Sequence, residues 1–403
     1  MDSDDRYTVI SADCHAGADL RDYKAYLEAR YHDAFDDWAD HYVNPFGDLE
    51  RPDADRNWDS DRRLKELEAD GIVGEVIYPN TVPPFFPKGG LTALVPSAQE
   101  FELRLAGLRA HNRWLAEFCA AAPGRRAGVG QILLNDLDEA VADVNWIADH
   151  DLRGGVLLPG APPGAPVEPL HSRTYDPVWR ACEERGVVLN THGGSASPDY
   201  GEHPGSQLLW LMETSWFSHR PLWTLVLSGV FDRFPALRMG LAEQGSAWIP
   251  GALEAMDGHY ASISGGGIGE LRTLDGISLA RRPSDYWRNN CYVAASFMHP
   301  ADCARRDAVG ADRIMWGSDY PHLEGTFPFS LEALQRTFAD VEPDEAQAML
   351  GRTAAEVYRF DWAALSKAAQ SCGPRVGDVA RGLDVVPEGA HSLAFRERPP
   401  LNV

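Results

Sequence analysis

Residues 313–322 read RIMWGSDYPH, and LEGTFP follows. Ile314, Met315 and Trp316 form a short apolar run that enters Gly317. Ser318, Asp319, Tyr320, Pro321 and His322 then arrive in succession. An apolar run of this length, bounded by turn residues, reads as a buried strand. A carboxylate and an imidazole just past its end stand where α/β enzymes place their chemistry. The fold follows from asking what else reaches that rim.

Working outward, seven further apolar runs precede it, at 7–13, 72–78, 127–134, 155–158, 187–191, 237–242 and 290–295. Helical patterns separate most of them, at 62–70, 99–122, 136–149, 175–185, 208–231, 246–260 and 300–309. Gly71 and Gly186 stand where helices stop. Eight short strands alternating with helices imply parallel pairing through right-handed crossovers. The economical solution is an α/β fold, a closed (β/α)8 TIM barrel. A doubly wound open sheet is the structural rival, but it calls for a glycine-rich phosphate turn after the first strand, and SADCHAGAD is not one. The aromatic, acidic stretch 16–61 reads as an insertion over the mouth of the barrel, partly helical around 23–31. Residues 1–370 then form the barrel. Residues 371–403, rich in Gly, Pro and Arg, form an arm on the barrel or on a partner subunit, which makes a homodimer the expected assembly.

Bulk composition narrows the partners. The 403 residues carry 37 Lys and Arg against 60 Asp and Glu, a formal net charge of −23. That balance opposes nucleic acid and anionic membrane surfaces and leaves a small-molecule substrate. No twenty-residue apolar stretch or signal-type segment is present. Six scattered cysteines without a CxxC pair fit a reduced, cytoplasmic setting.

Strand ends deliver the chemistry. Asp13 and His15 are two apart, so both can face the barrel axis while Cys14 faces away. His192 ends the fifth strand and Asp319 the eighth. Singly each has an ordinary explanation, such as a capping acid or a turn residue. Together, three strand ends bring nitrogen and oxygen donors to one rim. Such donors without thiolate suit one divalent ion, with zinc the default and manganese or iron the alternatives. Asp319 would also move the proton of a bound water, His322 would protonate a leaving group, and Glu243 would orient His192 or the water. Asn80, Phe85, Trp216 and His219 are the substrate-contact candidates, while Arg62 and Arg63 read as a solvated helix face.

These residues carry a resemblance. VISADCH, GIVGEVIYPN, THGGSASPDYG, GVFDRFPALR leading to Glu243 and Trp248, and MWGSDYPHLEGTFP resemble the amidohydrolase-related family. That branch of the amidohydrolase superfamily also holds aminocarboxymuconate semialdehyde decarboxylase-like enzymes. The resemblance runs from about residue 7 to 360. It implies a metal-dependent (β/α)8 enzyme with Asp13, His15, His192 and Asp319 at the ligand positions. Two departures stand out. The family's decarboxylases carry a histidine where this chain has Glu243, and the first-strand pair is Asp-x-His rather than His-x-His. Strand four, GVLLPG, offers no bridging lysine or glutamate, so a single metal is expected, unless Glu243 recruits a second. The leading expectation is therefore a hydrolase that turns metal-bound water on a small aromatic or conjugated amide, lactone or activated C–C bond. The alternatives are a non-oxidative decarboxylase of an aromatic or conjugated acid and a metal-assisted cyclodehydratase or hydratase.

Overall fold

The computed structural model describes residues 1–42, 51–87, 93–271 and 278–396. Parts of the expected insertion (43–50) and of the tail (397–403) lie outside the described residues. Eight strands run β1 (Val9–Ala16), β2 (Ile72–Pro79), β3 (Arg126–Gln131), β4 (Gly155–Leu157), β5 (Leu189–His192), β6 (Met239–Ala242), β7 (Cys291–Ser296) and β8 (Ile314–Gly317). They pair in sequence order, each parallel to the next. The ring closes where Asp319 N–H donates to the Asp13 carbonyl (2.8 Å) and His15 N–H to the Tyr320 carbonyl (2.7 Å). The fold is a (β/α)8 barrel.

The interior is filled as a barrel of this size must be, by side chains rather than by a pore. Ile10, Ala12, Val129, Leu157, Ala242, Ala294 and Met315 meet there, and Tyr358 and Phe360 join the same cluster. Around the strands lie α1 (His32–His41), α2 (Ser60–Ala69), α3 (Phe101–Ala120), α4 (Leu137–Asp149), α5 (Asp176–Arg185) and α6 (Ser206–Leu227), followed by helices such as Ile249–Ser264 and Ser330–Phe338. Asp136 caps α4 by accepting from the Asp138 and Glu139 N–H groups. Gly186 ends α5 in the left-handed conformation that a side chain would resist.

The structure departs from the sequence reading in instructive places. The helical stretch 208–231 is two helices, because Ser228 and the left-handed Gly229 (φ 70°) end α6 before Val230–Arg233 begins. Between helices Pro343–Gln347 and Thr353–Tyr358 runs a π turn at Ala348–Arg352. Helices Pro283–Asn290 and Trp362–Cys372 were not anticipated. The insertion contributes two 3-10 turns, Leu20–Tyr26 and Ala29–Tyr31, before α1. The segment after Ser371 pairs with the N-terminus: Tyr7 N–H donates to Pro374 O and Val376 N–H to Asp5 O, both at 2.9 Å. All six cysteines are free. Among the described residues, no helix is long and apolar enough to cross a membrane.

The first strand holds the detail that matters most for the site. Between Ser11 and Cys14 its register against β2 slips, a β-bulge. Ala12 belongs to the interior cluster and Cys14 to the outer one, while Asp13 and His15 meet the interior ends of the other strands. Simple alternation from Ala12 would have turned Asp13 outward. The bulge changes the phase and aims both ligand-type residues inward.

Candidate functional site

Four buried side chains converge at the C-terminal ends of β1, β5 and β8. Asp13 Oδ1 lies 3.4 Å from His15 Nε2 and 3.3 Å from His192 Nε2, and Asp319 Oδ1 lies 3.1 Å from His15 Nε2. None of the four is more than 1% exposed. Each imidazole is oriented from behind. His15 Nδ1 donates to the Pro79 carbonyl (3.3 Å), and His192 Nδ1 faces the Gly193 carbonyl (3.0 Å) and Glu243 Oε2 (3.2 Å). A carbonyl only accepts, so the Nδ1 protons are committed there. Each Nε2 is left as a lone pair directed at a carboxylate. Two lone pairs and two carboxylates then share one buried space, and His15 Nε2 and Asp319 Oδ2 have no hydrogen-bond partner.

Such a set of acceptors is stable only around a positive charge. The donor atoms of Asp13, His15 and His192 lie within 4.8 Å of one another, as do those of His15, Asp319 and His322. The residues present therefore fit one divalent cation, with nitrogen and oxygen donors and no thiolate. Glu243, Asp319 and the exposed Glu324 form a further group within the same span. In the metal-free chain protons take the ion's place. Burial pulls the His15 imidazole down, but the facing Asp13 and Asp319 carboxylates outweigh that and hold it well above the ordinary histidine range. Burial would raise the Asp13 carboxyl, and the facing His192 and His15 push it well below the usual carboxylate range instead.

A second layer is built on the same rim. His322 Nδ1 lies 2.9 Å from Asp319 Oδ1 and its Nε2 lies 3.0 Å from Asn80 Oδ1, while its ring stacks on His15 at 4.1 Å. The Asn80 amide is fixed in turn: its Nδ2 donates to Asn57 Oδ1 (2.6 Å), and Asn57 Nδ2 donates to the Ala54 carbonyl (3.0 Å). With Asn80 Oδ1 facing it, His322 Nε2 must donate. Burial opposes the His322 charge, but Asp319 outweighs it and raises its pKa. Glu243 is pushed up to about 7, first by burial and then by Asp319 and Asp13, against the pull of His192. Glu243 (φ 53°), Phe297 (φ 54°) and Asp319 (φ 59°) follow β6, β7 and β8 in left-handed backbone. Strain of this kind concentrates at functional sites. Gly193 makes room for it, since a Cβ there would lie 2.6 Å from Glu243 Oε2.

The sequence-derived candidates divide. Asp13, His15, His192, Asp319, His322, Glu243 and Asn80 come together. No hydrogen bond or ring contact joins Phe85, Trp216 or His219 to the four ligand-type residues. Phe85 packs against Phe35 and Trp38 under the insertion, at 6.4 and 5.8 Å. Trp216, 53% exposed, lies against Phe217 on α6. His219 stacks flat on Trp248 at 3.6 Å, and burial lowers its pKa to about 4. Sequence reasoning missed Ser296, whose Oγ donates to Asp13 Oδ2, and Asn57. A polar residue closing an apolar strand, as Ser296 closes CYVAAS, was the available signal for the first.

Comparison with known proteins supplies what geometry does not. The chain is 27% identical over 243 residues to a gamma-resorcylate decarboxylase of Rhodococcus jostii, covering 56% of this chain and 70% of that one. It is 24% identical over 274 residues to the gamma-resorcylate decarboxylase of a Polaromonas species, covering 65% and 76%. Among solved structures it resembles 5-carboxyvanillate decarboxylase of Novosphingobium aromaticivorans with bound manganese, at a TM-score of 0.64 and 21% identity over 88% of this chain and 97% of that one. These relatives are decarboxylases, and with them the leading expectation of a hydrolase is overturned. The error has a physical source. An Asp/His donor set around one ion polarises a carboxylate as readily as it activates water, so the ligands alone do not choose between the reactions. The match to the amidohydrolase family model begins at the first ligand-type residue, Asp13, and ends at Phe360; the chain belongs to the amidohydrolase family.

Proposed function

We propose that this chain is a divalent-metal-dependent, non-oxidative decarboxylase of a hydroxylated aromatic carboxylic acid. The observation that carries the metal dependence is the convergence of Asp13, His15, His192 and Asp319 as acceptors around one buried space. The names of the relatives support the reaction type and substrate class. Manganese is proposed over the zinc default, because the solved 5-carboxyvanillate relative carries it. Asp13, His15, His192 and Asp319 would hold the ion, which when bound supplies Lewis acidity and a positive charge for the substrate's carboxylate and neighbouring oxygen.

The residues supply positioning and a proton. The ring carbon that carries the carboxylate must gain a proton as its bond to the carboxyl carbon breaks, so that carbon dioxide leaves and the ring regains aromaticity. His322 stores that proton against Asp319 Oδ1 at 2.9 Å. Asp319, whose Oδ2 has no hydrogen-bond partner, passes it to the ring carbon. Solvent then reprotonates His322, which Asn80 and Asn57 hold in place. Glu243 fixes the His192 ring through Nδ1. The test is incubation of manganese-loaded protein with hydroxybenzoates, including γ-resorcylate and 5-carboxyvanillate, in D2O. The expected result is carbon dioxide release with one deuterium at the vacated ring carbon. Failure to release carbon dioxide from any of the panel would overturn the reading.

A further inference from the structure

A cavity on the other side of β5 plays no part in the metal centre. His192 and Asn190 face the barrel axis, where His192 meets Asp13 and Asn190 accepts from the Tyr78 and Tyr358 hydroxyls. Thr191 lies between them, and strand alternation turns it outward toward α6. There a cavity of about 200 Å³ opens between the 158–171 segment and α6.

Its walls combine features that together describe a ligand. Thr191 is 2% exposed, yet its Oγ1 has no hydrogen-bond partner. A buried hydroxyl left in that state is costly unless something in the cavity answers it. Arg220 lines the same cavity, and its guanidinium lies over the Trp216 ring, 5.2 Å from its centroid. Among the described residues it makes no hydrogen bond or ion pair. That is notable in a chain whose 60 acidic residues outnumber 37 basic ones. The remaining wall mixes apolar Leu158, Pro159, Phe217 and Pro221 with the polar His171, Ser195 and Thr224. A dry cavity near 150 Å³ accepts benzene, so this volume admits one ring bearing a small polar group.

We propose that this cavity is a second binding site, for a small monocyclic carboxylic acid. The carboxylate pairs with the Arg220 guanidinium and the Thr191 hydroxyl, and the ring lies against Phe217, Leu158 and the prolines. Glu168, exposed on the rim, opposes the anion. The site stands apart from the decarboxylase reading, since none of its walls supplies a metal ligand.

Benzoate is the probe, with metal-loaded protein and equilibrium dialysis. Wild type is expected to bind two equivalents, one at each site. Arg220→Met should lose one, and Arg220→Lys should retain both. Thr191→Val should weaken one roughly tenfold, and Glu168→Gln should tighten the same one. His15→Ala should lose the metal-dependent equivalent and keep the Arg220-dependent one, which separates failure here from failure of the catalytic reading. Whatever the total in wild type, unchanged stoichiometry in Arg220→Met together with unchanged affinity in Thr191→Val overturns the proposal.

Discussion

Two buried clusters of charge lie on adjacent strands, and they solve the same problem in opposite ways. On β2, Glu75 is 1% exposed and accepts from Arg63 Nε (2.8 Å) and Arg126 Nε (3.1 Å). The two guanidinium groups spend further donors on the carbonyls of His15 and Phe118, both at 2.7 Å. Burial would raise Glu75, and the two arginines hold it below its ordinary value instead. This cluster is closed by its own members. At the ends of β1, β5 and β8, Asp13, Asp319 and the two histidines are just as buried, yet they face one another as acceptors. That cluster is closed only by something added. Buried charge with internal partners marks structure, and buried charge without them marks a site. One bond joins the two: Arg63 Nη1 holds the backbone carbonyl of His15, so the structural cluster props the functional one.

Substitution should separate them sharply. Asp13→Asn is expected to lower turnover by about 10³-fold and to abolish stoichiometric metal, because one ligand charge is gone. Stripping the metal with a chelator should lower the melting temperature of wild type and leave that of Asp13→Asn unmoved. Metal-free Asp13→Asn should melt below metal-free wild type, since the protonated histidines that replace the ion lose a facing carboxylate. An active, metal-loaded Asp13→Asn would end the distinction. Glu75→Gln attacks the other cluster and leaves two buried arginines short of a counter-charge. The expected loss is about 3–5 kcal/mol in denaturant unfolding. Replacing Glu75, Arg63 and Arg126 together with Leu, Met and Met should restore most of that stability. It should not restore metal affinity, because the His15 carbonyl has lost its donor.

A smaller effect tests how the insertion reaches the rim. Asn57→Ala removes the amide that orients Asn80 and, through it, His322. Turnover is expected to fall roughly tenfold, with at most about 1.5 kcal/mol lost in stability. Unchanged turnover would remove His322 from the proton path.

The contrast between the clusters also explains what could be read in advance. Strand ends were legible because each is a short apolar run followed by a polar residue, so Asp13, His15, His192 and Asp319 could be placed at one rim before any coordinates. The bulge that aims Asp13 inward was not, because alternation carries no mark of an extra residue. Asn57 was invisible because it lies 23 residues before the Asn80 it orients, in a stretch without periodicity. Arg63 read as solvated helix face and is 0% exposed, because its partner Glu75 comes from the neighbouring strand. Pairing across elements is a property of the fold, and local sequence does not contain it.

The smallest prediction concerns the same residue type in a third setting. His15 and His111 are both fully buried, but His111 on α3 has aromatic neighbours, Tyr23 and Trp114, in place of carboxylates. Burial pushes His111 down to about 4, where His15 is driven up. A histidine whose folded pKa is depressed binds fewer protons than the unfolded chain between its two values. Its contribution to stability is therefore complete above the unfolded value of about 6.5 and is lost as pH falls toward 4. The slope in that window is at most about 1.4 kcal/mol per pH unit. In His111→Leu, unfolding free energies measured from pH 7 to 4 should decline less steeply than in wild type by up to that amount, whatever the offset at pH 7. Parallel curves would show that burial alone does not set the His111 charge, and the division between answered and unanswered buried groups would lose its simplest case.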